Sequence, residues 1–568
     1  MNRSPFPHAL FRLIVLLFCL PVTAFGVEPA RPGAHAVASA QHLATDAGIE
    51  ILQAGGNAFD AAVAVSAALG VVEPSSSGFG GGGFWLLHRA GDGKQVFLDG
   101  REVAPAAVDA AQYMDTSGNL DRDKSVNGAL AAGIPGHPAA LVHMAEHYGR
   151  LPLKQSLAPA IRLAEKGFPL ESRLRDMMAM RREVMLRYPS SKAVFFPTGD
   201  LPELGTVILQ PDLARTLKRL AKQGMRGFYE GKTARALVDG VRAAGGNWQL
   251  EDLKAYKVIE RDPLRFNYRG NQVVSAPPPS SGGVVLATTL NIVEGYDLAR
   301  LTAADRTHLL VEGMRRAYRD RSYILGDPDF VDMPIKRLTS KDYAAGLRAG
   351  IRLDRATPSS SLPEGAAILG GTDTTHFSII DADGNMVAGT MSVNLPMGSG
   401  LVVPGTGVLL NNEMDDFALK PNVPNAYGLI GTDANAPVAG KRMLSSMSPT
   451  FVIGPDRTAV IGTPGGSRIA TMVLLGLLEF VDGRSATEIV SRPRFHHQYL
   501  PDVISAEADA MPREEIKSLQ DRGHTINDGE RPWGNMHVVI WDRRSNTLSG
   551  AADPRSAVGS ARVEAAGR

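Results

Sequence analysis

Thr374 and Ser392 are a pair whose types and spacing could do chemistry. Residues 354–371, DRATPSSSLPEGAAILGG, are rich in Pro, Ser and Gly and read as a turn-and-loop linker. A strand starts abruptly at Thr374, with Phe377, Ile379 and Ile380 as its β-formers. Ala382-Asp383-Gly384 reads as a hairpin turn in which Gly384 can take positive φ, and residues 386–393 read as the return strand. With a three-residue loop, Asp381 faces Asn385 and Thr374 falls opposite Ser392; a two-residue loop would move that partner by one. A threonine hydroxyl is a weak nucleophile unless a base lies beside it. Cutting the chain between Asp373 and Thr374 would free an α-amine with a pKa of about 7.7–8.0. That amine can act as the base for its own residue's hydroxyl. From these residues alone, Thr374-Thr375 reads first as β-branched strand filler, since such pairs are common.

Four longer stretches bear on the choice: TTHFSIIDADGN from Thr374, NNEMDDF from Asn411, LSSMSPT from Leu444 and GTPGGSR from Gly462. In content and order they resemble the γ-glutamyltranspeptidases, N-terminal-nucleophile hydrolases made as one precursor that cuts itself into two subunits. The resemblance runs from about Ala36 to about Gly559. It implies an α+β fold, a four-layer αββα sandwich of two sheets faced by helices. It implies a large subunit of residues 27–373 and a small catalytic subunit of residues 374–568, held together as a heterodimer. It implies cleavage of the γ-glutamyl amide of glutathione and related compounds. The acyl group would pass through a γ-glutamyl-threonine ester to water, amino acids or dipeptides, with no metal or organic cofactor.

Residue by residue, the resemblance makes Thr374 the nucleophile and Asp373–Thr374 the cleavage site. Ser392 stands where the family usually has Thr and would hydrogen-bond the nucleophile; serine keeps that hydroxyl but loses the methyl that stiffens χ1. Asn394 matches a substrate contact. Arg101, in Arg101-Glu102-Val103-Ala104-Pro105, matches the arginine that binds the substrate's α-carboxylate, a task that suits a guanidinium fork. Ser445 and Ser446 would complete that carboxylate site. Glu413 and Asp416 match the acids that hold the α-ammonium, with Asp415 structural. Tyr427 matches the aromatic that gates the pocket. Gly465 and Gly466 match an oxyanion hole, where two backbone N–H groups point at one spot and glycine lets the backbone come close.

These groups need elements to position them. Thr390, Ser392 and Asn394 alternate with period 2 and are expected on one face of a strand. Residues 421–441 form a long loop with three prolines, the length of a lid. Residues 45–53 read as a helix ended by Gly55-Gly56, and Asn57 as the cap of a second, with Asp60 at its third position. Residues 61–72 are apolar nearly all round and predict a buried helix. Residues 75–84, SSSGFGGGGF, contain a formal G-x-G-x-x-G. Yet no strand precedes it and no helix follows, so it predicts a close backbone crossing rather than a nucleotide site. Residues 275–285, SAPPPSSGGVV, read as stiff scaffold. The acids of 326–332 lack a cation-ligand spacing and read as loop structure. The adjacent His496 and His497 suit no simple zinc pattern and are expected to be structural.

The 568-residue chain carries a net charge of +1 with 21% charged residues, which gives no basis for binding nucleic acid or an anionic surface. Arg3 and Arg12, the apolar run 13–20 and Ala24-Phe25-Gly26 predict a secretory signal over residues 1–26, too short to span a bilayer. The single cysteine, Cys19, falls inside it, so a mature chain would have no thiol chemistry. An exported, cysteine-free enzyme fits a bacterial periplasm or the extracellular space. Two other readings stay open: a glutaryl (cephalosporin-type) acylase using the same nucleophile, and an uncleaved, non-catalytic exported binding protein.

Overall fold

The strand after Thr374 shows how the chain is layered. In the computed structural model, which describes Met1, residues 31–362 and residues 374–566, this strand is Thr375–Ile380 and every residue of it is buried. Successive side chains of a strand point to opposite faces. Phe377 and Ile379 join a core shared with helices His42–Gln53 and Ala58–Val72. Ile380 joins a second core that lies between two sheets. On that same face the Ser378 hydroxyl donates to the His537 carbonyl of the opposing sheet at 3.0 Å, and His376 Nδ1 lies 2.8 Å from Thr390 Oγ1.

The turn that returns this strand is the one expected. Asp381 N donates to the Asn385 carbonyl at 3.0 Å, and Gly384 has φ 89°. The return strand Met386–Ser392 pairs with Thr375 opposite Met391, which continues to Thr374 opposite Ser392. Asp381 also accepts from the Ala58 N–H at 2.8 Å, so the turn caps the buried helix Ala58–Val72. Asn57 and Asp60 form the capping box of that helix, whose residues are all buried.

The first sheet has seven strands in the order Ser560–Ala565, Ala34–Ser39, Thr375–Ile380, Met386–Ser392, Gly82–Arg89, Lys94–Gly100 and Ile259–Arg261. The second has six: Thr547–Ala552, His537–Asp542, Arg457–Gly462, Thr450–Ile453, Asn271–Ser275 and Leu264–Tyr268. Phe84, Leu86, Phe97 and Ala388 of the first meet Val274, Phe451, Val460 and Val539 of the second in one apolar layer. Helices Gly282–Val293 and Ile469–Val481 cover the outer face of the second sheet, and the long helix Ala303–Ile324 packs on Gly282–Val293. The result is the four-layer αββα sandwich within the compact unit that begins at Arg31.

The expected leader (Arg3, Arg12, Cys19 and Ala24-Phe25-Gly26) and the residues before the proposed cut, including Asp373, lie outside the described residues. One expectation fails. The return strand stops at Ser392, and Asn394 has φ 74°, a left-handed backbone that asparagine tolerates. That turn ends the period-2 alternation, and Thr390 spends its hydroxyl on His376 inside the sandwich. Thr390 and Ser392 share one face of the strand, and Asn394 leaves it. The glycine run behaves as predicted. A Cβ on Gly80 would lie 2.1 Å from the Leu409 carbonyl oxygen, so only glycine allows this crossing.

Candidate active site

Thr374 sits at the head of its strand, where the first sheet ends, and is 3% exposed. Its Oγ1 is 3.3 Å from Ser392 Oγ. The Ser392 oxygen accepts the Asn394 N–H at 2.8 Å, which fixes the hydroxyl and leaves its proton to point elsewhere. Asn394 gains its place through its left-handed backbone rather than a strand. Its Nδ2 donates to the Asn412 carbonyl at 2.9 Å, and its own carbonyl accepts the Tyr427 hydroxyl at 2.5 Å.

One cavity is lined by Thr374, Ser392, Asn394, Arg101, Glu413, Asp416, Tyr427, Ser445, Ser446 and Gly466. Of the described catalytic and substrate-binding candidates, Gly465 is the one that does not line it, although it precedes Gly466 and has φ 140°. Neither glycine N–H donates a backbone hydrogen bond among the described residues. Ser445 is braced by the proline-rich scaffold: its N–H donates to the Pro279 carbonyl, and its carbonyl accepts from Ser281 N, both at 2.8 Å. The stiffness read in SAPPPSSGGVV thus serves the cavity wall.

At the charged end of the cavity the Arg101 guanidinium packs among three acids. Arg101, 1% exposed, reaches Asp416 Oδ2 at 2.6 Å through Nη2, and Glu413 Oε2 at 2.7 Å through Nη1. Glu102 Oε2 lies 3.5 Å from Nη1. Buried charges persist only when paired. Burial pushes Glu413, Asp416 and Glu102 each up to about 7, against the pull of Arg101. Burial alone would lower Arg101, but the surrounding carboxylates more than reverse that and raise it. Glu413 Oε1 has no hydrogen-bond partner among the described residues, although the nearby Ser392 and Asp416 favour its charged form. A carboxylate that keeps one oxygen unpaired beside a bound guanidinium suits a ligand carrying both signs of charge. This direct pairing of Arg101 with the two acids was not visible in the sequence.

Residues 421–441 lie over this end as a loop with one short 3-10 turn at Asp433–Asn435. Asn425 is the link the sequence reading missed. Its Oδ1 accepts the N–H groups of Tyr427 at 2.9 Å and Leu429 at 3.0 Å, while its Nδ2 donates to Asp416 Oδ1 at 3.0 Å. The signal was there, since an Asn two residues before a Tyr-Gly turn is a side-chain-to-backbone turn former. Asn435 likewise donates to the Asp416 carbonyl at 2.7 Å and accepts from Leu444 N at 3.0 Å. Asp415 is structural as expected: it accepts from Arg122 and Ser125, each at 2.8 Å, and from Ala426 N at 2.7 Å. Arg321 also lines the cavity and was missed. It follows Met314, Ala317 and Tyr318 on one helix face, so a charge on an apolar stripe was the available clue.

His496 and His497 point apart. His496 bonds Thr471 and Gln498, each at 2.8 Å, and His497 bonds Asp502 at 3.2 Å. Burial lowers them to about 3 and about 4 respectively, so both are neutral structural groups. Residues with metal-ligand chemistry meet elsewhere, at His308, Glu312 and His524. Their atoms are engaged by protein: His308 Nδ1 is 2.8 Å from His524 Nε2, and Glu312 accepts from Thr357 and from Arg316. Asp327 and Asp329 hold loops, the first accepting from Arg442 N at 2.8 Å and the second pairing with Arg261 at 2.7 Å.

The chain is 42% identical over 98% of its length to a glutathione hydrolase proenzyme of Pseudomonas sp. (strain A14), covering 99% of that relative. It is 41% identical to the glutathione hydrolase proenzyme of Escherichia coli (strain K12), over 94% of both chains. Among solved structures, a cephalosporin acylase from Bacillus halodurans superposes with a TM-score of 0.82 at 28% identity, over 99% of this chain and 98% of that one. A sequence model described as Gamma-glutamyltranspeptidase matches residues 44–563. The chain belongs to the γ-glutamyltranspeptidase family.

Proposed function

We propose that this chain is a self-cleaving proenzyme whose mature form hydrolyses γ-glutamyl amides, glutathione among them, and passes the γ-glutamyl group to water or to amino-acid and dipeptide amines. The observation that carries the reading is the cavity itself. It joins the Thr374 hydroxyl at one end to a guanidinium paired with two acids at the other. That second end is complementary to a free α-amino-acid head, with Arg101 for its carboxylate and Glu413 and Asp416 for its ammonium.

Maturation begins when the Thr374 hydroxyl attacks the Asp373 carbonyl and expels the Thr374 nitrogen. The resulting ester is cut by water, leaving Asp373 as a carboxylate and Thr374 with a free α-amine. In turnover that amine takes the hydroxyl proton as Oγ1 attacks the γ-amide carbon. The oxyanion is held by the N–H groups of Gly465 and Gly466. Collapse breaks the C–N bond, and the Thr374 ammonium gives its proton to the leaving amine. Water or an acceptor amine then attacks the γ-glutamyl ester and returns the threonine. Ser445 and Ser446 assist the carboxylate, and Tyr427 closes the pocket by its bond to Asn394. The leader pattern over residues 1–26 supports export to the periplasm or outside the cell. Among the described residues no helix is long and apolar enough to cross a membrane.

The mature protein should show two chains, the smaller beginning at Thr374 by N-terminal sequencing, and should release aniline from a γ-glutamyl anilide. A single uncleaved chain would favour the binding-protein reading. The acylase reading draws on the superposition with the cephalosporin acylase, and the paired acids weigh against it.

Two further outcomes follow from the geometry. Ser392→Ala should lower kcat by roughly 10–100-fold with a smaller change in KM, because its hydroxyl serves the nucleophile in the transition state. Ser392→Thr should stay active, and an unchanged kcat in fully cleaved Ser392→Ala would remove this role. The second concerns pH. Glu413 and Asp416 are each held up at about 7, so below that value they take up protons that a substrate ammonium must displace. KM for a γ-glutamyl anilide should therefore rise as pH falls through about 7. A KM flat from pH 8 to pH 5.5 would show that these acids do not meet the ammonium.

A further inference from the structure

Arg321 is the one charged residue lining the cavity that the proposed reaction leaves without a task. It lies on the helix Ala303–Ile324 and is 3% exposed. Among the described residues it makes no ion pair, its Nε has no partner, and its one hydrogen bond runs from Nη1 to the Ile430 carbonyl in the lid at 3.4 Å. A guanidinium carries five donors, and a buried cation with one long bond to a neutral oxygen is poorly compensated. An arginine kept in such a place needs an anion, and the acid it couples to is Asp416.

Asp416 is faced from several sides. Arg101 holds its Oδ2, Asn425 its Oδ1, and Glu413 and Asp415 share its segment; Glu102 approaches beside Arg101, and Arg321 comes from the long helix. A substrate carboxylate that takes Arg101 removes the strongest partner of Asp416. Of the charges that line the filled cavity, Arg101, Arg321 and the substrate ammonium would face Glu413, Asp416 and the substrate carboxylate, three of each sign, with Glu102 behind Arg101 and outside the lining. Without Arg321 the acids would outnumber the cations, and one of them would have to protonate.

We propose that Arg321 is a positioning residue for substrate recognition: it is the reserve cation to which Asp416 turns when the substrate's carboxylate takes Arg101. This rests on the γ-glutamyl reading of the cavity. Through Ile430 the same guanidinium ties the lid to this exchange of partners.

The test uses the mature two-chain protein with Arg321→Met and Arg321→Lys, measuring kcat and KM for a γ-glutamyl anilide across pH, with thermal melting alongside. Arg321→Met should raise KM by about 10-fold or more with a smaller effect on kcat. It should also shift the acidic limb of kcat/KM to higher pH, without lowering Tm, since an uncompensated buried charge has been removed. Arg321→Lys keeps the charge and should restore the limb and most of the affinity. Wild-type KM and limb in Arg321→Met would overturn the inference, as would a lysine variant as impaired as the methionine one. If Arg321→Met does not accumulate as two chains, the lysine variant decides alone, and a displaced limb there sinks the idea. Should the wild type fail to act on γ-glutamyl anilides, the functional reading falls; an active wild type with an indifferent Arg321 removes this inference only.

Discussion

Thr374→Ala is expected to accumulate as one uncleaved chain with no γ-glutamyl transfer or hydrolysis. The loss in kcat should be about 10⁴–10⁶-fold, the range seen when a covalent nucleophile is removed and binding groups remain. Two steps depend on the same oxygen. Alanine keeps the strand register with Met386–Ser392 and fits a buried position, so the fold should survive. It removes the atom that attacks the Asp373 carbonyl and the atom that attacks substrate. Denaturing electrophoresis and intact mass read the first, and aniline release reads the second. A new N-terminus at residue 374 in this variant would mean that another group makes the cut.

The second large effect is a choice between substrates. A glutaryl amide has the chain length and carboxylate of a γ-glutamyl amide but no ammonium. In its complex Arg101 would turn to the ligand carboxylate, and Glu413 and Asp416, now paired with Arg101 at 2.7 and 2.6 Å, would share Arg321 as their one remaining cation, with no ammonium to meet the second acid. Leaving buried acids unpaired costs several kcal/mol, or about 10²-fold or more in kcat/KM. The γ-glutamyl anilide should be preferred by at least that factor. Asp416→Ala should shrink the preference, mainly by damaging the γ-glutamyl reaction. Comparable kcat/KM for the two compounds on the wild-type protein would promote the acylase reading.

Much of this was legible in the sequence because it depends on local chemistry. The hairpin register followed from Asp381, Gly384 and Asn385, and with it the pairing of Thr374 and Ser392. Asn57 and Asp60 announced their helix, and the glycines near Gly80 announced a crossing. What could not be read depends on contacts between distant segments. Nothing in residues 421–441 says that Asn425 will reach Asp416. Nothing in RRAYRDRSYI separates Arg321 from Arg315, Arg316 and Arg319 except its place on the apolar stripe. Asn394 shows the opposite failure: alternation predicted a strand face, and one left-handed residue cancelled it.

The order of strands has a consequence for the life history of the molecule. A cut before Thr374 would leave Thr375–Ile380 and Met386–Ser392 in one chain, while their sheet neighbours Ala34–Ser39 and Gly82–Arg89 belong to the other. Ser560–Ala565 returns to the far edge of that sheet, and the second sheet is likewise divided between Thr450–Ile453 and Asn271–Ser275. Each sheet draws strands from both halves, although four neighbouring strands of the second lie in the later half, so neither half holds a complete sheet, and folding would precede the cut. Before the cut, renaturation is a single-chain event that does not depend on concentration. After such a cut two partners would have to meet in solution and rebuild both sheets together, so refolding would come to depend on concentration.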